Sequence, residues 1–191
     1  MWYPADRRQH EYQLASRRQA RDELKAAMAH DVPFPVFGLS SGGPGYVSSM
    51  SMCDGRLDEI GLGYGSTDGP AGPWASVLSR AHLSGAKGNT SRLSETIAGE
   101  LERRSIPETG EPTESQRQVR VSGSTIDLPG VEIDGVWAGA TDLGVIGLQG
   151  IEIEVMLSPD ITDIRLHPID SLAPYWHDTP ERIKQAWLGP A

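Results

Sequence analysis

Two stretches of strict alternation constrain this chain more than anything else in it. Val131-Glu132-Ile133-Asp134-Gly135-Val136-Trp137 and Ile151-Glu152-Ile153-Glu154-Val155-Met156-Leu157 place apolar and acidic residues at period two. That pattern belongs to a strand with one buried face and one wet face. Both lie in a segment, Gln118 to His167, that reads as a series of strands. The expected strands are 119–122, 125–128, 131–138, 144–148, 151–157 and 164–167. Short glycine-bearing connections separate most of them, which favours an antiparallel meander over βαβ units.

The first half reads differently. Residues 5–29 hold Arg, Gln, Glu and Ala with a thin apolar stripe, a surface helix or a subunit contact. Arg17, Arg21 and Lys25 share one face of it. Val32 to Phe37 is apolar but carries Pro33 and Pro35, so it suits an edge strand. Tyr46–Cys53 and Arg56–Tyr64 flank Asp54-Gly55, a strong hairpin signal. Pro73, Trp74, Val77, Leu78 and Ala81 have helical spacing, and Leu93, Ile97 and Leu101 recur at i, i+4, i+8 behind a capping Ser91. Residues 107–118 hold no large apolar side chain and read as a flexible loop. Thr179, Pro180 and Glu181 open a last helix that Gly189-Pro190 ends.

The fold expected from this is α+β in a single domain, 1–191. An antiparallel sheet of about five to seven strands is packed on one face by helices from the first half and the C-terminus. At 191 residues the chain can bury a sizeable core without disulfide or metal. A hydrophobic fraction of 38%, with Gly 22 and Pro 14, favours a loop-rich β or α+β protein over a helical bundle.

Charge and cysteine usage narrow the function classes. The net charge is −9, and residues 127–170 hold nine acids against Arg165 alone. Such a surface repels nucleic acid and anionic membrane. The single Cys53 excludes an internal disulfide and a cysteine-built zinc site, and fits a reducing compartment. No apolar run approaches the ~18 residues of a spanning helix, and MWYPADRRQH has no signal-peptide core. A cytoplasmic protein is expected, and arginine-rich coding (only Lys25, Lys87 and Lys184 are lysine) suggests a bacterial one.

No motif rises to a catalytic assignment. Gly38-Leu39-Ser40-Ser41-Gly42 matches G-x-S-x-G, but Gly43-Pro44-Gly45 follows where a nucleophile elbow needs a helix. Asp160 or Asp163 with His167 or His177 has the chain order of a triad and nothing more. Gly61 to Ser66 lacks the spacing and helix of a phosphate loop. The five histidines form no H-x-H or H-E-x-x-H pair, so no metal or cofactor is expected.

The residues singled out are a partner surface: Glu132, Asp134, Glu152 and Glu154 on an acidic sheet face, with Trp176 and Trp187 in the aromatic tail. The expected function is a non-catalytic protein–protein interaction protein of immunity or adaptor type, meeting a basic protein partner. Homodimerisation through helix 5–29 is a further option. The alternative is a small enzyme or ligand-binding protein using the glycine-rich loops 38–45 and 61–72.

Overall fold

The computed structural model describes residues 34–40, 45–53, 56–65, 72–81 and 90–188, with Val32 and four helical positions, Gln19, Asp22, Lys25 and Ala26. Most of the expected helix 5–29, and with it the dimer contact, lies outside the described residues. So do the Asp54-Gly55 turn, most of the loop 66–72 and the residues after Ser40 in the G-x-S-x-G match.

The described strands, in chain order, are β1 (Val36–Leu39), β2 (Gly45–Cys53), β3 (Arg56–Gly65), β4 (Trp74–Ala81), β5 (Thr113–Val121), β6 (Ser124–Ile133), β7 (Val136–Asp142), β8 (Ile151–Leu157) and β9 (Ile164–Ile169). Among the described residues three helices with full bounds accompany them: α1 (Thr90–Arg103), α2 (Ala173–His177) and α3 (Glu181–Leu188). All nine strands form one sheet in the order β1-β9-β5-β6-β7-β8-β4-β3-β2. The sheet is mixed, because β5 and β9 run parallel while the other neighbours are antiparallel. It curls into a nearly closed barrel.

This overturns the expected meander of five to seven strands under a helical layer. The main core is the barrel interior. Val77, Ile60, Leu62, Leu128, Trp137, Ile153, Val155 and Leu157 meet there with Val36, Phe37 and Leu39. Among the described residues, α1 is the helix from the first half that packs on the sheet. Leu93, Ile97 and Leu101 bury against the outer face, beside Val131, Ile133, Ala138, Ala140 and Met156. Ser91 lies within α1 rather than before it.

Three segments differ from expectation for a common reason: a tertiary partner decided their state. Residues 74–81 form β4, not a helix, and pair with β3 on one side and β8 on the other. Ala75, Val77 and Ser79 point inward while Trp74 is buried on the outer face, so two covered faces blurred the period-two signal. The expected loop 107–118 contains most of β5, whose polar residues are exposed or half-buried until Val119 and Val121 are reached. The expected strand 144–148 is instead a short 3₁₀ turn, Leu143–Ile146. Asp142 caps it by accepting from the Gly144 N–H, and Gly147 ends it at φ 87°. The β2–β3 hairpin does form, with Cys53 opposite Arg56.

The two ends of the sheet are not joined by a strand ladder. The curl brings β1 over the inner faces of β3 and β4, and side chains take its outward-pointing donors. Phe37 N–H donates to Ser79 Oγ at 3.0 Å, and Leu39 N–H donates to Tyr64 Oη at 2.8 Å. The C-terminal segment reaches β2: Val47 N–H donates to Thr179 Oγ1 at 2.9 Å, and that hydroxyl donates to Tyr175 O at 2.7 Å. Tyr64 and Tyr175 pack edge to face, centroids 6.4 Å apart, between the two strand ends. Glycines make room for them. A Cβ at Gly38 would stand 2.7 Å from Tyr175 Oη, and one at Gly45 would stand 2.7 Å from both rings. No helix among the described residues is long and apolar enough to cross a membrane.

Burial pushes ionisation of the Tyr64 phenol far above its ordinary range, against the opposing hydrogen bond from Leu39 N–H. The neutral phenol is therefore the folded form. Its contribution is whole below about pH 10 and fades above that, where the unfolded chain ionises first. Tyr64→Phe should cost about 1–3 kcal/mol at pH 7, because it leaves a buried N–H unpaired. Denaturant titrations at pH 7 and pH 11 should show the gap between wild type and variant narrowing at the higher pH.

Candidate functional site

Above the outer face of β2, β3 and β4 lies a cleft of about 390 Å³. Its floor is built by a strand irregularity. The register between β2 and β3 slips between Val47 and Ser49, so Ser48 and Ser49 both line the cleft while Val47 and Met50 are buried on the other side. Opposite them, Gly61 and Gly63 leave the outer face of β3 bare. The Tyr46 ring occupies the space a side chain at Gly63 would need, and Ser49 Oγ does the same at Gly61.

The walls are helical. The last turns of α1 bring Thr96, Glu100, Arg103 and Arg104, and α3 brings Arg182 and Ile183. Arg104 is only 2% exposed, which is costly for a cation without compensation. Glu100 and Trp74 both help to compensate it. Its Nε donates to Glu100 Oε1 at 2.5 Å, and its guanidinium lies 4.1 Å from the Trp74 ring centroid. Glu100 also accepts from Arg103 Nε at 2.8 Å. Burial raises the ionisation of the Tyr46 phenol, and the neighbouring Arg103 and Arg104 partly offset this.

Behind the cleft, under α1, runs a row of charges set by strand register. Glu59, Arg80 and Glu152 are direct cross-strand neighbours on β3, β4 and β8. Arg80 donates to Glu59 at 2.5 Å, to Glu152 at 2.7 Å and to Glu154 at 3.1 Å. Arg92 of α1 closes the group from above, 3.1 Å from Glu152 and 3.0 Å from Glu154. Burial works against the charge on Arg80, and the bonds to Glu59 and its neighbours outweigh it, so the guanidinium is held firmly ionised.

The residues expected to form a partner surface are therefore scattered. Glu152 and Glu154 are 3% and 5% exposed and bound into this ion group, so no open acidic face carries them. The expectation failed because α1 covers that face and supplies Arg92. Glu132 sits apart, paired with Arg117 at 3.2 Å, where that arginine lies over Trp137. Asp134 is exposed at the tip of the β6–β7 turn. It accepts from the Thr109 and Gly110 N–H groups at 2.8 and 3.1 Å, and these bonds hold its carboxyl below the usual range. Trp176 is half-buried against the barrel core, and the Trp187 side chain lies outside the described residues. Of the expected site residues whose side chains are described, Glu154 alone lines the cleft.

The structure also joins two residues of the weighed triad. Ser40 Oγ and His167 Nδ1 lie 3.0 Å apart at the exposed end of β1 and β9. Asp163 instead pairs with Arg165 at 2.8 Å. Among the described residues no group of three or more His, Cys, Asp or Glu is placed to hold a metal ion.

Sequence reasoning missed Tyr46, Arg103, Arg104 and Arg182. Arg103-Arg104 could have been marked as the basic end of the helix that begins near Ser91. Nothing in the sequence brings Tyr46 or Arg182 to it, since the three segments are far apart along the chain.

The ion group predicts a specific instability. Arg80→Met leaves Glu152 and Glu154 with Arg92 as their remaining partner. Urea denaturation should show a loss of about 3 kcal/mol, the low end for breaking a buried pair, since Arg80 retains some solvent. No family model matches this chain, and no curated protein matches its sequence.

Proposed function

We propose that this chain is a non-catalytic binding protein that takes a small organic molecule in the cleft between β2–β4, α1 and α3. One observation carries the reading: a concave site of about 390 Å³ combines a bare glycine floor and an aromatic ring with a few converging polar groups. Small-molecule sites have that size and that mix. The described lining includes no histidine or cysteine, and its two carboxylates, Glu100 and Glu154, are each engaged by arginines. Binding is the chemistry this lining supports.

A ligand held there stabilises the folded chain by mass action. At a concentration a hundred times its Kd the gain is about 2.7 kcal/mol, a rise in melting temperature of roughly 5–10 °C for a chain of this size. Thermal-shift screening of a fragment library should yield such ligands, and Gly63→Ala should abolish the shift by displacing the Tyr46 ring. A library without hits, or hits indifferent to Gly63→Ala in a variant that still melts cooperatively, would end this reading.

The Ser40–His167 contact supports a second reading, acyl transfer at the open end of the barrel. A hydroxyl 3.0 Å from an imidazole nitrogen has a base within reach. Incubation with a fluorophosphonate probe decides it. Intact mass should show one adduct that Ser40→Ala removes, and an unmodified wild-type protein would dismiss the idea.

A further inference from the structure

We infer that the cleft selects an organic anion, a carboxylate or phosphate group carried on a small apolar or aromatic body. This rests on the binding reading above and adds the ligand's charge and class.

The first ground is charge. The chain as a whole carries −9. The cleft reverses that sign: Arg103, Arg104 and Arg182 line it against Glu100 and Glu154. Three arginines against two glutamates leave the described lining one net positive charge. A concave site walled by protein focuses the field of such groups and concentrates a counter-charged solute.

The second ground is preorganisation. Arg104 is held by Glu100 and by the face of Trp74, so its cation is in position before any ligand arrives. A fixed charge loses little entropy on binding, and most of its attraction appears as affinity. Arg103 is anchored through the same carboxylate but remains 42% exposed at the cleft mouth. The guanidinium group is the side chain best matched to the two oxygens of a carboxylate or phosphate.

The third ground is the floor. Tyr46 lies against bare Gly63, and its phenol sits in the field of Arg103, Arg104 and Arg182. An anion held by the arginines would place its organic body against the Tyr46 ring, which covers Gly63. The hydroxyls of Ser48, Ser49 and Ser76 line the same floor. A phosphate, with more acceptor oxygens than a carboxylate, would use more of them.

Benzoate, phenyl phosphate and benzyl alcohol are the probes that test this, because they share a ring and differ in charge. Binding to the full chain is measured by titration calorimetry at low and at physiological salt. Both anions should bind at least tenfold tighter than benzyl alcohol, with the preference shrinking as salt is added. Arg182→Gln should weaken the anions about tenfold and leave benzyl alcohol unchanged. The ratio of phenyl phosphate to benzoate separates the two anion classes. Equal affinity for all three probes, or a loss in Arg182→Gln shared by benzyl alcohol, would overturn the charge selection while leaving the binding reading intact. No binding by any probe, in a chain whose circular dichroism and melting are normal, would overturn both.

Discussion

A buried backbone N–H must find an acceptor, and the edge of a curled sheet has donors that no strand takes. The nine described strands leave two such edges, β1 and β2, with no ladder between them among the described residues. Side chains solve the problem. Ser79 and Tyr64 accept from β1, and Thr179 accepts from β2. These bonds seat β1 among the core residues and draw the C-terminal segment across the end of β2. The segment Tyr175–Thr179 thus helps to hold the curled sheet, and the route it takes leads α3 onto the outer face. Without that path Arg182 and Ile183 would not wall the cleft.

The outer layer follows from a second constraint, the cost of burying charge. Once α1 settles on β6 and β7 through Leu93, Ile97 and Leu101, the acids of β8 lose water. They are tolerated because β4 presents Arg80 in register with Glu152, and because Arg92 descends from the helix. The same helix then ends in Arg103 and Arg104 beside Trp74. Helix, ion row and cleft form one layer, and the position of α1 on the sheet sets all three.

Much of the strand content was legible from the sequence. Ile151–Leu157 alternates cleanly and is β8, and the flanks of Asp54-Gly55 pair as β2 and β3. The spacing of Leu93, Ile97 and Leu101 marked the buried stripe of α1. Where the reading failed, the pattern was ambiguous in itself. Trp74, Val77, Leu78 and Ala81 fit a helical stripe and also fit a strand buried on both faces. The polar run 113–118 has no apolar period at all; it is a strand because β6 pairs along it and β9 joins it further on, at Val119–Val121. Alternation at Glu152 and Glu154 marked a second face correctly but could not say what covers it.

Local physics in the sequence determined that residues 124–169 would be mostly strand and that residues 93–101 would be helical. Those properties depend on residues a few positions apart, which a sequence displays directly. The tertiary structure alone decided that the sheet curls into a nearly closed barrel, that Glu152 and Glu154 are buried and paired, and that Tyr46, Arg104 and Arg182 share one cleft. Each of these depends on which strand lies beside which. That order is set by long-range burial and by the need to satisfy edge donors, and neither leaves a periodic mark in the sequence.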